Sequence, residues 1–289
     1  MRTTRLFFTL LTVCLLLLPA AAVGAAPAAP ADYRDILVKA GENLLNLKSY
    51  HVVLAAEGSM LMDGQTRGFV AGGQADVQLK PLLMRNTLTA SLGAGSGKST
   101  YAMTQYLEES GGKFVLYSYA DNKWSKQVLA SPGGNYGDFR KYFDGFVRGI
   151  SGAKLVQETD DKLVLEAAVG AGCLQEAVER AMSGVVGRKI KLPDGLFDDL
   201  GDIRYQAVIA KDSLQITEVS VNLAEFANSL AQAIIDTMRL PEDQKALAEE
   251  SLRSVKIKIK VSLSRFDAVE PIAIPREARN APAAPSAGQ

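Results

Sequence analysis

The chain has 289 residues, of which 47% are hydrophobic, and its 32 lysines and arginines balance its 32 aspartates and glutamates. A formal net charge of zero excludes the polybasic surface on which most nucleic-acid binders depend. The composition is that of an ordinary globular protein, and no internal repeat or linker interrupts residues 33–278, so we expect these residues to form a single domain.

Residues 1–25 have the pattern of a secretory signal peptide. Arginines precede an apolar run at residues 6–18, and small side chains follow, with Val23 and Ala25 suited to the −3 and −1 positions of a cleavage site. The run is too short to cross a bilayer, and no second long apolar run exists. We therefore expect an exported protein, in the periplasm or at the exterior of the cell envelope, without a transmembrane span in its mature chain.

The two cysteines, Cys14 and Cys173, bear on anchoring and on disulfides. Val13 stands where a lipid-attachment site needs a small residue, so we do not expect lipid anchoring through Cys14. The mature chain then keeps a single cysteine and forms no internal disulfide, so burial of a large core must hold the fold together.

The first half of the chain, after a Pro/Ala tether at residues 26–32, predicts one helix and then a strand meander. The helix, at 33–47, has one apolar stripe and a possible N-cap at Asp32. Short connections separate the predicted strands, which favours antiparallel hairpins over βαβ units. The predicted strands are at 49–62, 66–71, 76–80, 82–92, 99–108, 113–119 and from Trp124 onward.

The second half mixes helices with hairpins and ends in one clear strand. At 255–266, apolar residues alternate with lysines and serines, which predicts a strand of a sheet that is buried on one face. The Ala/Pro-rich tail at 279–289 is predicted to be disordered. The other predicted elements are helices at 139–150, 174–185, 225–240 and 242–252 and hairpins at 154–158 with 162–169 and at 203–210 with 214–223.

Motifs for catalysis, nucleotides or metals fail on inspection. The segment GAGSGKST at 93–100 lacks P-loop spacing, because Leu92 stands where the first glycine is required. His51 is the sole histidine, which excludes multi-histidine metal sites, and we expect it to lie on a strand face. The acidic cluster within 194–202 does not match a calcium-loop spacing. We therefore expect no enzyme activity, no nucleotide, no metal and no cofactor.

Apolar and aromatic side chains on the predicted helices allow two interpretations. They pack a filled core between helices and sheet, or they line a cavity for an apolar ligand, since Met and Phe adapt to chains of varied shape. Periodicity does not separate the two. The cavity candidates are Phe139, Phe143, Phe146, Met182, Leu230, Ile234 and Met238.

Three segments, in this order, resemble parts of the LolA/LolB/LppX superfamily of lipoprotein and lipid carriers. They are DVQLKPL at 76–82, the hairpin ESGGKFVLYSYADNKW at 109–124 and VEPIAIPREARNA at 269–281. The resemblance implies an α+β fold in which an incomplete, curved antiparallel β-barrel wraps around helices that cover its inner face. It also implies a non-catalytic protein with an apolar cavity for acyl chains. Lys80 replaces the barrel arginine of LolA, so that arginine's role is not transferred.

Residues and resemblance together predict an exported bacterial carrier that binds lipid or lipoprotein acyl chains in an apolar cavity. The alternative is a cell-envelope structural or interaction module with a filled core, which would bind an envelope protein and no lipid. An open or a filled core distinguishes the two.

Overall fold

The computed structural model describes residues 33–62, 65–93, 99–110, 113–129, 150–175, 179, 191, 195, 197, 200–237 and 255–283. Helix α1 is Tyr33–Asn46, α2 is Ala224–Thr237 and α3 is Arg276–Arg279, and a 3-10 turn forms at Ala171–Leu174. The strands are β1 (Ser49–Met62), β2 (Gln65–Leu79), β3 (Leu82–Leu92), β4 (Ser99–Ser110), β5 (Lys113–Ala120), β6 (Lys123–Leu129), β7 (Ile150–Glu158), β8 (Lys162–Gly170), β9 (Asp202–Ala210), β10 (Ile216–Asn222) and β11 (Lys256–Ser264).

All eleven strands belong to one open sheet, in the order β6-β5-β4-β3-β2-β1-β11-β10-β9-β8-β7. Every pair of neighbours is antiparallel. Two meanders run outward in opposite directions from β1 and β11, and the pairing of these two strands forms the seam between them. The predicted α+β class, with a curved, incomplete antiparallel barrel, is confirmed.

The predicted gap between the strands at 66–71 and 76–80 is wrong, because β2 runs through Gly72 and Gly73 without interruption. Gly72 lies opposite Ala55 and Gly73 opposite Leu54 in the β1 ladder. A Cβ atom at Gly73 would stand 2.5 Å from a side-chain carbon of Leu88. Glycine therefore allows close approach of a neighbouring side chain at this point of the strand and does not mark a turn.

Ile150 ends the aromatic stripe of the predicted helix at 139–150, but it begins β7. It pairs with Val169 of β8 and is buried, with 4% of its surface exposed. Its fit to a helical period is outweighed by cross-strand pairing, since sequence periodicity does not detect a partner on another strand. The rest of that helix, the helix at 242–252 and the signal peptide lie outside the described residues, and of the helix at 174–185 Gln175 and Glu179 are helical.

The core lies on the inner face of the sheet, where strand alternation places the apolar side chains. In β11, Ile259, Val261 and Leu263 are buried whereas Lys258 and Lys260 are exposed. The predicted one-sided strand is therefore correct, and it occupies the middle of the sheet. Helix α1 lies on the inner face of β7–β10 and buries an apolar stripe formed by Leu37, Ala40 and Leu44.

A C-terminal strap, residues 265–283, leaves β11 and crosses the outer face of the sheet. Arg265 and Asp267 take left-handed conformations, with φ of 50° and 57°. The Asp267 carboxylate accepts hydrogen bonds from the backbone N–H groups of Lys48 at 2.5 Å and Ser49 at 3.3 Å. These two bonds tie the start of the strap to the start of β1.

The far end of the strap packs on β4–β6. Ile274 and Ala278 are buried against Tyr106 and Tyr117, and the backbone N–H of Lys126 donates to the Pro282 carbonyl at 3.0 Å. Ala283 forms a parallel bridge with Lys126. The prediction of disorder from residue 279 is therefore wrong for residues 279–283, because the outer face of β4–β6 supplies the apolar contacts that composition alone does not reveal.

Candidate functional site

Two of the predicted cavity residues, Leu230 and Ile234, lie in the described part of the chain. Leu230 lies in α2 and is half-buried, and Ile234 lies in the same helix. Helix α2 contacts β11, and its Phe226 packs on the main core. The side chains of Phe139, Phe143, Phe146, Met182 and Met238 lie outside the described residues.

The inner face of the sheet is an apolar surface that extends across both meanders. Its buried members include Leu54, Leu88, Leu165, Ile209 and Val261, none more than 1% exposed. The contacts of the described helices with this face concentrate on β7–β11, through α1 and α2. The inner face of β2–β5 is equally apolar and buried, with Val77, Met84, Leu88, Leu107 and Phe114 among its side chains.

A polar row crosses this apolar half, and sequence analysis did not identify it. The polar row consists of Asn86, Gln105, Ser118 and Ser125, which are successive partners across β3–β6. The Gln105 side-chain N–H donates to Ser118 Oγ at 3.1 Å, and the Ser125 hydroxyl donates to the Ser118 carbonyl at 3.4 Å. The signal was present in the sequence, because Asn86 occupies the inward phase of β3 between Met84 and Leu88.

Asn86 is the exception in the polar row, since its side chain is completely buried and unsatisfied. Its exposure is 0%, and neither Oδ1 nor Nδ2 has a hydrogen-bond partner. Gln105 is 7% exposed, and its Oε1 also lacks a partner. An unsatisfied buried polar group destabilises a fold by about 1–3 kcal/mol, so native proteins rarely keep one without a reason.

On the opposite, outer face, a charged cluster joins the seam strands to β2 and β3. Asp76 receives hydrogen bonds from Arg265 and, at 2.5 Å, from Arg85, and His51 Nδ1 lies 2.7 Å from its Oδ1. Arg265 Nη2 lies 2.9 Å from the same Nδ1. Because a carboxylate only accepts and a guanidinium only donates, Nδ1 donates to Asp76 when it carries a proton and accepts from Arg265 when it does not. Each of these contacts joins two members of the cluster, which is consistent with the expected strand-face histidine and with a structural role.

The pKa of Asp76 reflects this arrangement. Burial alone would raise it, but the hydrogen bonds from His51 and Arg85, together with the positive charge of Arg265, outweigh burial and hold the pKa of the carboxyl below its usual range. On the same face, burial and the hydrogen bond to Glu108 raise the pKa of Tyr117.

Two open grooves lie side by side at the seam. Their volumes are about 550 and 540 Å³, and Glu57, Val70 and Lys258 line both. Exposed charged side chains in their walls distinguish them from the predicted acyl cavity. Among the described residues, no group of His, Cys, Asp or Glu side chains is arranged to hold a metal ion. None of the described helices combines the length and apolar character needed to cross a bilayer.

Among the comparisons with known proteins, one family model identifies a family for this chain. A search among curated proteins finds no match. A crystal structure of a DUF1329 family protein from Desulfovibrio piger is similar at 10% sequence identity, with a TM-score of 0.25, over 82% of this chain and 93% of that chain. A model for a family of unknown function, DUF6612, matches residues 32–283. The chain therefore belongs to the DUF6612 family.

Proposed function

We propose that this protein is an exported, non-catalytic carrier that holds the acyl chains of a lipid or lipoprotein against the inner face of its sheet. The observation that carries the proposal is the apolar inner face, which continues from β8 to β5, whereas α1 and α2 contact mainly β7–β11. Sheets of this kind provide concave, mostly apolar sites that suit chain-like ligands.

The energetics of such a site are favourable for acyl chains. Each buried methylene contributes about 0.8 kcal/mol, so ~14 methylenes contribute roughly 11 kcal/mol before the entropic costs of association. The order of three sequence segments that resemble LolA/LolB/LppX carriers, together with the signal-like N-terminal segment, supports the same proposal.

The decisive experiment is native mass spectrometry of the mature protein purified from its own cell envelope, followed by solvent extraction. We expect lipid to co-purify in near-stoichiometric amount, and the extract then identifies the class of cargo. A clean apo mass, with no later uptake of a fluorescent fatty acid, would contradict the proposal. That result would favour an envelope interaction module with a filled core.

A further inference from the structure

We infer that the polar row recognises a neutral linkage in the cargo that both donates and accepts hydrogen bonds, and that this linkage is an N-acyl amide. The inference rests on the proposed function, because it concerns the part of the cargo next to the acyl chain. It would identify the amide, among the linkages that join acyl chains to larger molecules, as the one this protein prefers.

The first step of the argument is the set of unused hydrogen-bonding atoms. Asn86 offers two N–H donors and one carbonyl acceptor, and all of them lack partners. The amide nitrogen of Gln105 donates a hydrogen bond to Ser118 Oγ, whereas its Oε1 has no partner. The site therefore presents donors and acceptors together, on two adjacent strands whose paired side chains lie about 5 Å apart.

The second step is the chemistry of the groups that could use those atoms. A secondary amide accepts from Asn86 Nδ2 and donates to Asn86 Oδ1 or Gln105 Oε1. An ester accepts in the same way, but it donates nothing and leaves both acceptors unsatisfied. An ionised carboxylate has no counterion in the polar row, and burying an unpaired charge is far more costly than burying an amide.

The third step is the setting of the polar row. On one side of Asn86 and Gln105 lie Leu88 and Met103, which face each other across β3 and β4. On the other side lie Met84, Leu107 and Leu116, in register across β3–β5. An acyl chain that leaves an amide held at Asn86 therefore meets apolar side chains in either direction along the strands.

The test uses two ligands that differ at one atom, N-methylpalmitamide and methyl palmitate, as competitors against a fluorescent fatty acid bound to the mature protein. We expect the amide to bind at least tenfold more tightly than the ester, since one satisfied buried hydrogen bond changes affinity by about that factor. In Asn86→Leu, this ratio should fall to within twofold while both competitors still bind.

Two further variants secure the test. Gln105→Met removes the second acceptor and should also lower the ratio of amide to ester affinity. It takes the place of Asn86→Leu if that variant does not fold. Thr87→Val removes a hydroxyl from the exposed face of β3 and should leave the ratio unchanged. Equal binding of amide and ester by the wild type, or an unchanged ratio in both inner-face variants, would overturn the inference while leaving an acyl carrier in place. Binding of neither competitor would overturn the proposed function and the inference with it.

Discussion

Single residues decide how the outer face of the sheet is held together, and Asp76 is the clearest case. Its side chain is 7% exposed and receives charged donors from β3 and from the residue after β11, whereas Arg85 and Arg265 remain about half exposed. Hydrogen bonds to a charged acceptor stabilise more than neutral ones. Asp76 therefore connects segments that are far apart in sequence.

Replacement of Asp76 by Asn should lower the free energy of unfolding at pH 7 by about 2 kcal/mol, because the charge-assisted bonds weaken. The pKa of Asp76 is lowered in the folded state, so its stabilisation is complete above about pH 4 and is lost as pH falls through the folded-state pKa. Urea unfolding at pH 7 and pH 3 should show the difference from wild type shrinking at pH 3.

The control for Asp76 is Gln74→Ala, on the same strand and exposed, which should change stability little at either pH. A difference between Asp76→Asn and wild type that stays the same at both pH values would contradict an electrostatic origin.

At the scale of elements, the C-terminal strap is the segment whose role is least visible in sequence. From residue 279 onward its Ala/Pro-rich composition predicts a disordered tail. In the structure, Arg279 donates to both carboxylate oxygens of Glu108 at 3.0 and 3.1 Å, and Ile274 is buried beside it. The strap thus covers aromatic side chains that would otherwise form an exposed patch on β4–β6.

Truncation after Asp267 should lower the free energy of unfolding by about 3 kcal/mol, because burial of Ile274 and its apolar neighbours is lost. Trp124 is the sole tryptophan, and it packs on the cluster that the strap covers, so its fluorescence should shift to the red. Truncation after Ala283 is the matched control and should change neither property. If the emission maximum of Trp124 stays unchanged in the variant that ends after Asp267, the strap does not protect this face.

Helix α2 offers a test of the proposed cargo site with two adjacent positions. Leu230 is half-buried and Ser229 is exposed on the same helix. Leu230→Asp should weaken uptake of a fluorescent fatty acid at least tenfold, because an ionised carboxylate opposes burial of an acyl chain. Ser229→Asp adds the same charge to the helix and should bind as wild type. Equal binding by both variants, with both folded, would remove Leu230 from the site.

How far the sequence predicts these elements depends on whether a pattern is local. The bounds of β1 and β3 follow from period-2 alternation, and the structure matches them at Ser49–Met62 and Leu82–Leu92. The strand assignment of Ile150 and the place of Asn86 in the polar row depend on partners on other strands. Alternation within one strand does not specify those partners. The strap depends on tyrosines more than 150 residues away. The sequence predicts cavity residues on helices, whereas the polar row lies on strands.

At the scale of the whole molecule, the seam between β1 and β11 joins the two meanders into one sheet. The register pairs His51 with Ser264 and Ser59 with Lys256. Near one end of the seam, Gly58 lies under the ring of Phe69, and a Cβ atom there would stand 2.2 Å from the Lys256 carbonyl oxygen. A glycine is needed at this point because backbone and aromatic ring both approach closely.

Gly58→Ala should therefore disturb the seam itself and lower the free energy of unfolding by about 3 kcal/mol. Gly68 lies one residue from the partner of Gly58, and a Cβ there would have its nearest neighbour at 3.8 Å, so Gly68→Ala is the matched control and should be nearly neutral. Guanidinium unfolding of the two variants compares them directly. Similar losses in both would indicate a general cost of alanine in these strands.

The seam also sets a constraint on biosynthesis. The ribosome delivers β1 long before β11, and at 5–20 residues per second the interval is about 10–40 s. During that time the first meander is available with the long hydrogen-bonding edge of β1 unpaired, and such an edge is a template for pairing with other chains. In a nascent chain, this edge of β1 therefore stays without its native partner until the last strand emerges.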